Sequence, residues 1–191
     1  MTELPHRIAE LFDYMDASRA RLLETANSIS PAVASIRPKN GEWSAADILA
    51  HLAKVETGVA HMMERSVAWA RSHDIGPAAS EASVLSSLDE FGLVDSATRL
   101  AAPEMVAPEQ GAQVDVSIAS LRESREKLKA ALRSGADLEL TLVKRPHRAL
   151  GEIDMLQWAL FVAQHEERHR RQIERTIEEV TERCAECAPI V

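Results

Sequence analysis

Apolar residues recur every three to four positions in four long stretches of this chain, the period of helices that bury one face. In the first, from about Pro5 to Ile29, the repeating positions are Ile8, Leu11, Phe12, Met15, Leu22 and Leu23. Pro31 and Pro38 punctuate the segment between the first stretch and the second. The second stretch opens on the clearest start signal in the chain. Asn40-Gly41 is read as a turn, and Ser44 stands three residues before Asp47. In that capping-box spacing the hydroxyl accepts from an exposed amide while the carboxylate reaches back. The stripe Ile48, Leu52, Val55, Val59 and Met62 or Met63 then runs to a predicted end near Ser72. The third stretch covers about Val116 to Arg133, with Ile118, Leu121, Leu128 and Leu132 on one face. Arg125 interrupts that face; it either snorkels to the edge of the core or faces a polar pocket, and snorkelling is the expectation. The fourth and longest stretch comes after Gly151, from about Glu152 to Arg183.

Two connections break the pattern. Residues 73–112 contain Pro77, Pro103 and Pro108 and leave room for a short helix from Ser80 to Glu90. A connection this long is unusual unless it is functional or crosses a bundle. Residues 138–145 alternate like a strand, but a single strand has no sheet to join, so an extended connector is expected. No internal repeat or low-complexity segment is present. The pattern therefore predicts an all-α fold: one helical domain over residues 1–183, then a tail at 184–191.

Composition narrows the function classes. Only 7 glycines and 4% aromatic residues leave a core built from Leu, Ile, Val, Ala and Met. Lys+Arg 22 against Asp+Glu 30 gives a net charge of −8, which argues against a general nucleic-acid binder and against docking on an anionic membrane surface. No apolar run approaches the ~20 residues of a membrane span. The first residues show neither a basic segment nor an apolar one, so no signal peptide is expected and a cytoplasmic location is the default. Cys184 and Cys187 have a metal-compatible gap but make only half of a zinc site; a pair of free thiols on the tail is the simpler expectation.

Three of the seven histidines stand out. His165 and His169 are one helical turn apart, so their rings project about 40° apart, roughly 6 Å along the axis, and can reach one ion. They share a face with Trp158, Val162, Ile173 and Ile177, which points them inward. His51 points inward likewise, between Ile48 and Val55. Buried imidazoles need partners for their nitrogens, and one divalent cation shared by all three would serve. Imidazole donors suit zinc, nickel and iron alike. His6, His61, His73 and His147 lack this placement, although His147 comes after Pro146 in the connector and could approach the site.

His165-Glu166-Glu167-Arg168-His169 also matches H-E-x-x-H, the helix motif of zinc proteases. Its extended form needs Gly at 172 and His at 175, where this chain has Gln172 and Arg175. A third ligand from a later helix is also missing, because Glu178, Glu179 and Glu182 continue the same helix. A zinc metalloprotease is therefore the weakest of the readings.

Taken together, these segments resemble the DinB-like superfamily. Trp43-Ser44-Ala45-Ala46-Asp47-Ile48-Leu49-Ala50-His51-Leu52 is similar to its first signature. The stretch Gly151 through Trp158, Phe161 and His165-Glu166-Glu167-Arg168-His169-Arg170-Arg171-Gln172-Ile173 is similar to its second. The order Pro146-His147 departs from the His-Pro that relatives often carry before the last helix. The resemblance implies a four-helix bundle with a long crossover between the second and third helices, a metal held by His51, His165 and His169, and often a homodimer. It implies a metal-dependent transferase or isomerase that uses a low-molecular-weight thiol, such as mycothiol or bacillithiol, on a small-molecule substrate. Related domains in sulfoxide synthases use iron. Glu166 and Glu167 are candidates to orient a ligand histidine or move a proton, and each is more simply a solvated surface charge. Arg168, Arg170, Arg171 and Arg175 could meet an acidic group on the thiol, or pair with Glu on an exposed face. The rival expectation is a non-catalytic metal-binding or dimerising protein linked to stress, in which the ion only clamps two helices together.

Overall fold

A computed structural model of the chain describes residues 4–39, 41–95, 103–108 and 111–186, the last three by backbone alone. The described residues form four long helices: α1 (His6–Asn27), α3 (Ala45–Ser72), α4 (Val114–Ser134) and α5 (Met155–Glu186). A single turn, α2 (Pro31–Ala34), comes after α1, with Ser30 as its cap and Pro at its first position. Two short strands, β1 (Lys144–His147) and β2 (Gly151–Asp154), precede α5. The capping box of α3 forms as its spacing predicts. The Asp47 amide donates to Ser44 Oγ, the Ser44 amide donates to Asp47 Oδ2, and both distances are 3.1 Å.

Cross-helix contacts fix the topology. Arg7 near the start of α1 reaches Glu139 beyond the end of α4, while Arg19 reaches Leu121, so these helices are antiparallel. Glu56 meets Ser124, and further along Val67 meets Gly135, so α3 and α4 run parallel. Ser18 meets Glu166 and Arg21 meets Glu167, so α1 and α5 also run parallel. A parallel α3–α4 pair forces the connection between them to return along the bundle. The crossover is therefore pinned repeatedly. Ala79 donates to Glu139, Val84 donates to Glu10, and Arg168 donates to the Asp95 carbonyl. Lys54 donates to the Ala107 carbonyl near its far end. Val84, Leu88 and Leu93 anchor it in the core.

The core is divided into two apolar clusters, one around Leu11, Met15, Met63, Leu128 and Leu160, the other around Leu22, Ile48, Leu49, Leu121 and Ile173. Arg19, Glu56, Arg125 and Glu166 lie at the level between them, all buried. Arg125 thus faces a polar interior and does not snorkel. It is 3% exposed, and its guanidinium is consumed by Glu56, Glu166 and the Met15 carbonyl.

Two further expectations are corrected. Only the end of the 138–145 segment, Lys144 and Arg145, finds a strand partner, while Leu140–Leu142 close into a 3-10 turn. Residues 144–147 pair antiparallel with 151–154, Lys144 opposite Asp154 and His147 opposite Gly151, so α5 begins at Met155 instead of Glu152. The turn is closed by the His147 ring, whose Nδ1 accepts from the Ala149 and Leu150 amides, and by Gly151 at φ +73°. No ordinary two-residue turn signal marks it. The short helix from Ser80 to Glu90 does not form; turns lead into a 3-10 turn at Asp89–Phe91. Ser80 and Ser83 accept from amides two residues on, the local bonding that competes with helix. No helix among the described residues is long and apolar enough to cross a membrane.

Candidate metal centre

Ser44 starts α3, and His51 falls two turns in, on the face that carries Ile48 and Leu52; its side chain is buried. His165 and His169 lie one turn apart on the facing side of α5 and are half-buried. The three rings converge. His51 Nε2 is 3.4 Å from His165 Nε2, and His169 Nε2 is 3.1 Å from that same atom. One donor atom from each histidine lies within 4.8 Å of both others. An ion with nitrogens at ~2.0–2.1 Å in tetrahedral geometry separates them by ~3.3–3.4 Å. The three histidines are therefore positioned to hold a metal ion.

The remaining ring nitrogens fix the tautomers. His51 Nδ1 is 2.9 Å from the Val106 carbonyl oxygen on the crossover. A carbonyl only accepts, so Nδ1 carries the hydrogen and Nε2 a bare lone pair. His169 Nδ1 donates in the same way to Gln172 Oε1 at 2.8 Å, leaving its Nε2 bare. Both lone pairs face His165 Nε2, and a hydrogen there could serve only one of them. A cation satisfies all three, so the donor set fits a divalent metal, with Val106 and Gln172 as its outer supports.

The surroundings favour neutral rings. Burial lowers the His165 pKa well below its ordinary value, helped by His169 and His51. Burial and His51 bring His169 down to about 3. Burial also lowers His51, against the Val106 hydrogen bond. Neutral imidazole is the form that coordinates a cation. Phe161 stacks on His165 at 5.1 Å between ring centroids, and Trp43 leans on His51 at 4.9 Å, covering the cluster with apolar surface.

The other candidates separate cleanly. Glu166 is not a solvated charge: it is 2% exposed and turned into the bundle, where Ser18, Arg19 and Arg125 donate to it. A protease would need this glutamate beside the ion as a base, so the H-E-x-x-H match carries no protease geometry. Glu167 is buried as well. Hydrogen bonds from Arg170 and Arg21 outweigh burial and hold its pKa at about 2. Arg170 pairs with Glu167 and Glu174, and Arg171 with Glu167, so these two do pair with glutamates, but their shared partner Glu167 is buried and not on an exposed face. His147 packs against Trp158 and against Phe161, which in turn stacks on His165, so it stands one ring away from the cluster. His61 lines a surface groove with Lys54 and Met105, and His73 stacks on Trp69 at the end of α3. Cys187 and the Cys184 side chain lie outside the described part of the chain.

Sequence reasoning missed the supporting residues Val106 and Gln172 and the charges Arg19 and Glu56. Val106 acts through its backbone, which no side-chain pattern reveals. Gln172 sits three residues after His169, within reach on a helix. Arg19 and Glu56 each fall three or four residues from core positions on both sides (Met15 and Leu22, Leu52 and Val59), the same signal that drew attention to Arg125.

Fold and site together define a class: a helical bundle with a three-histidine cluster contributed by two of its long helices. A sequence model of the DinB superfamily matches residues 14–173, and the chain belongs to that superfamily. Searches of curated proteins and of solved structures returned no match.

Proposed function

We propose that His51, His165 and His169 bind one divalent cation and that the protein is a metal-dependent transferase or isomerase acting on a small molecule with a low-molecular-weight thiol. The observation that carries the metal is the pair of Nδ1 anchors, Val106 and Gln172, which aim two bare Nε2 lone pairs at a third imidazole. Three protein ligands leave a tetrahedral ion one position for an outside molecule, the arrangement of catalytic sites. In that position a divalent cation lowers the pKa of a thiol and makes it a nucleophile. The chain holds the imidazoles neutral and oriented, and Phe161 and Trp43 keep water from the ring faces they cover. The thiol and the substrate class come from the family resemblance, as does the homodimer, which light scattering would check.

A second reading has its own support. The ligands bridge only α3 and α5, and the crossover carbonyl of Val106 ties into them, which suits an ion that serves as a clamp. Metal content measured by mass spectrometry on untagged protein, beside a His165→Ala/His169→Ala variant, tests the shared part. About one ion per chain, lost in the variant, is expected. A screen of thiols with electrophilic acceptors then separates the readings: turnover supports the enzyme, whereas a melting shift without turnover supports the clamp. Absence of metal after reconstitution overturns both.

A further inference from the structure

Between the two apolar clusters lies a closed layer of four charges, one from each long helix: Arg19 on α1, Glu56 on α3, Arg125 on α4 and Glu166 on α5. Its bonding is reciprocal. Arg19 donates Nε to Glu166 at 2.8 Å, one terminal nitrogen to Glu56 at 2.5 Å and the other to the Leu121 carbonyl on α4. Arg125 donates Nε to Glu56 at 2.6 Å, one terminal nitrogen to Glu166 at 3.1 Å and the other to the Met15 carbonyl on α1. Ser18 adds a hydrogen bond to Glu166 at 2.8 Å, and Ser124 adds one to Glu56 at 3.1 Å. The formal charges cancel.

The two glutamates sit on the two helices that carry the histidines. Glu166 is the residue next to His165, and Glu56 lies five residues after His51. We propose that Arg19 and Arg125 are positioning residues for the metal centre: by gripping Glu56 and Glu166 together, they lock the rotation and height of α3 against α5 and so hold His51 opposite the His165–His169 pair. The proposal rests on the metal-binding reading above.

The argument is one of tolerance. A helix turning by about 10° moves a side-chain atom about 6 Å from its axis by roughly 1 Å, whereas metal–ligand distances hold within ~0.2 Å. Apolar packing is less directional, and cores refilled with other apolar residues lose uniqueness before they lose stability. Forked guanidinium–carboxylate bonds fix both direction and length. Stability alone is a weak reason for such a layer, since buried ion clusters replaced by apolar residues of similar volume often leave a protein as stable or more so. Fixing register is the best-attested use of buried polar groups.

The experiment is a cobalt(II) titration of three proteins: wild type, Arg125→Lys, and the apolar exchange Arg19→Met/Glu56→Leu/Arg125→Met/Glu166→Leu. Affinity is read from the titration, coordination geometry from the visible spectrum, and fold from circular dichroism and melting temperature. Wild type should bind one cobalt with the intense bands of a tetrahedral site. The apolar variant, folded, should bind at least tenfold more weakly with weaker bands. Arg125→Lys keeps the charge but cannot reach both glutamates and the Met15 carbonyl at once; it should lower the melting temperature through the partners left unsatisfied, and, with the helical circular dichroism retained at the titration temperature, lose cobalt affinity severalfold with weaker bands. If both variants match wild type in affinity and spectrum, the positioning role is wrong while the metal reading stands. Should the apolar variant fail to fold, Arg125→Lys alone decides by the same criterion. A wild type that takes up no cobalt overturns the metal reading and this proposal with it.

Discussion

At the scale of single residues, the site is governed by which ring nitrogen holds a hydrogen. Gln172 decides this for His169 by accepting from its Nδ1. Gln172→Leu removes the acceptor and frees the ring to turn or change tautomer. Loss of such an outer partner typically weakens metal affinity 10–100-fold, so a drop of about tenfold is expected in a competition titration, with the metal-free melting temperature little changed. Unchanged affinity would mean that the ring is held by packing against its neighbours alone. Gly135 makes a different kind of demand. A Cβ added there would lie 2.9 Å from one Val67 methyl and 3.2 Å from the other, where α4 ends against α3. Gly135→Ala is therefore expected to destabilise by about 1–3 kcal/mol through overpacking, readable in urea denaturation.

At the scale of elements, local signals wrote the helices and tertiary signals wrote the rest. The α3 cap was legible in Ser44 and Asp47 because its bonds join residues three apart. Ser44→Ala should cost about 1 kcal/mol, a fall of roughly 2–4 °C in melting temperature for a chain of this size. The hairpin was not legible, since its strands are four residues each, one contains Pro146, and its turn is closed by a histidine ring. The crossover was legible as a length but not as a path, because its tethers are scattered carboxylates and carbonyls. Glu139 is one such tether. Burial raises its pKa, but bonds from Thr141, Ala79 and Arg7 win and hold it at about 2. Its folded pKa is thus below the unfolded value near 4.5, so the stability it lends is full above pH 4.5 and is lost as pH falls toward 2. Urea midpoints measured across that range should fall more for wild type than for Glu139→Gln, and parallel curves would show that the carboxylate is not ionised as a tether.

At the scale of the molecule, the histidine cluster and the charge layer link the same pair of helices. The sequence announced the three histidines because each lies on an apolar stripe, where an imidazole stands out. It did not announce that Glu166 belongs to the interior, because a glutamate between a histidine and a second glutamate reads as surface until its neighbours from α1 and α4 are known. Both devices bridge α3 and α5, which run antiparallel with His51 facing His165 and His169. An ion bound there adds a link that the unfolded chain lacks, so binding must raise stability by mass action. At a free metal concentration of about 100 times Kd the gain is ~2.7 kcal/mol. For a domain of this size that corresponds to a rise of roughly 5–11 °C in melting temperature. The rise should reverse with a chelator and vanish in His165→Ala/His169→Ala. It should persist in Gln172→Leu once the metal concentration is scaled to the weaker Kd, because the link is then restored at equal occupancy. A melting temperature indifferent to saturating metal would mean that the ion binds unfolded and folded chain alike, and that the histidine cluster does not join the two helices through it.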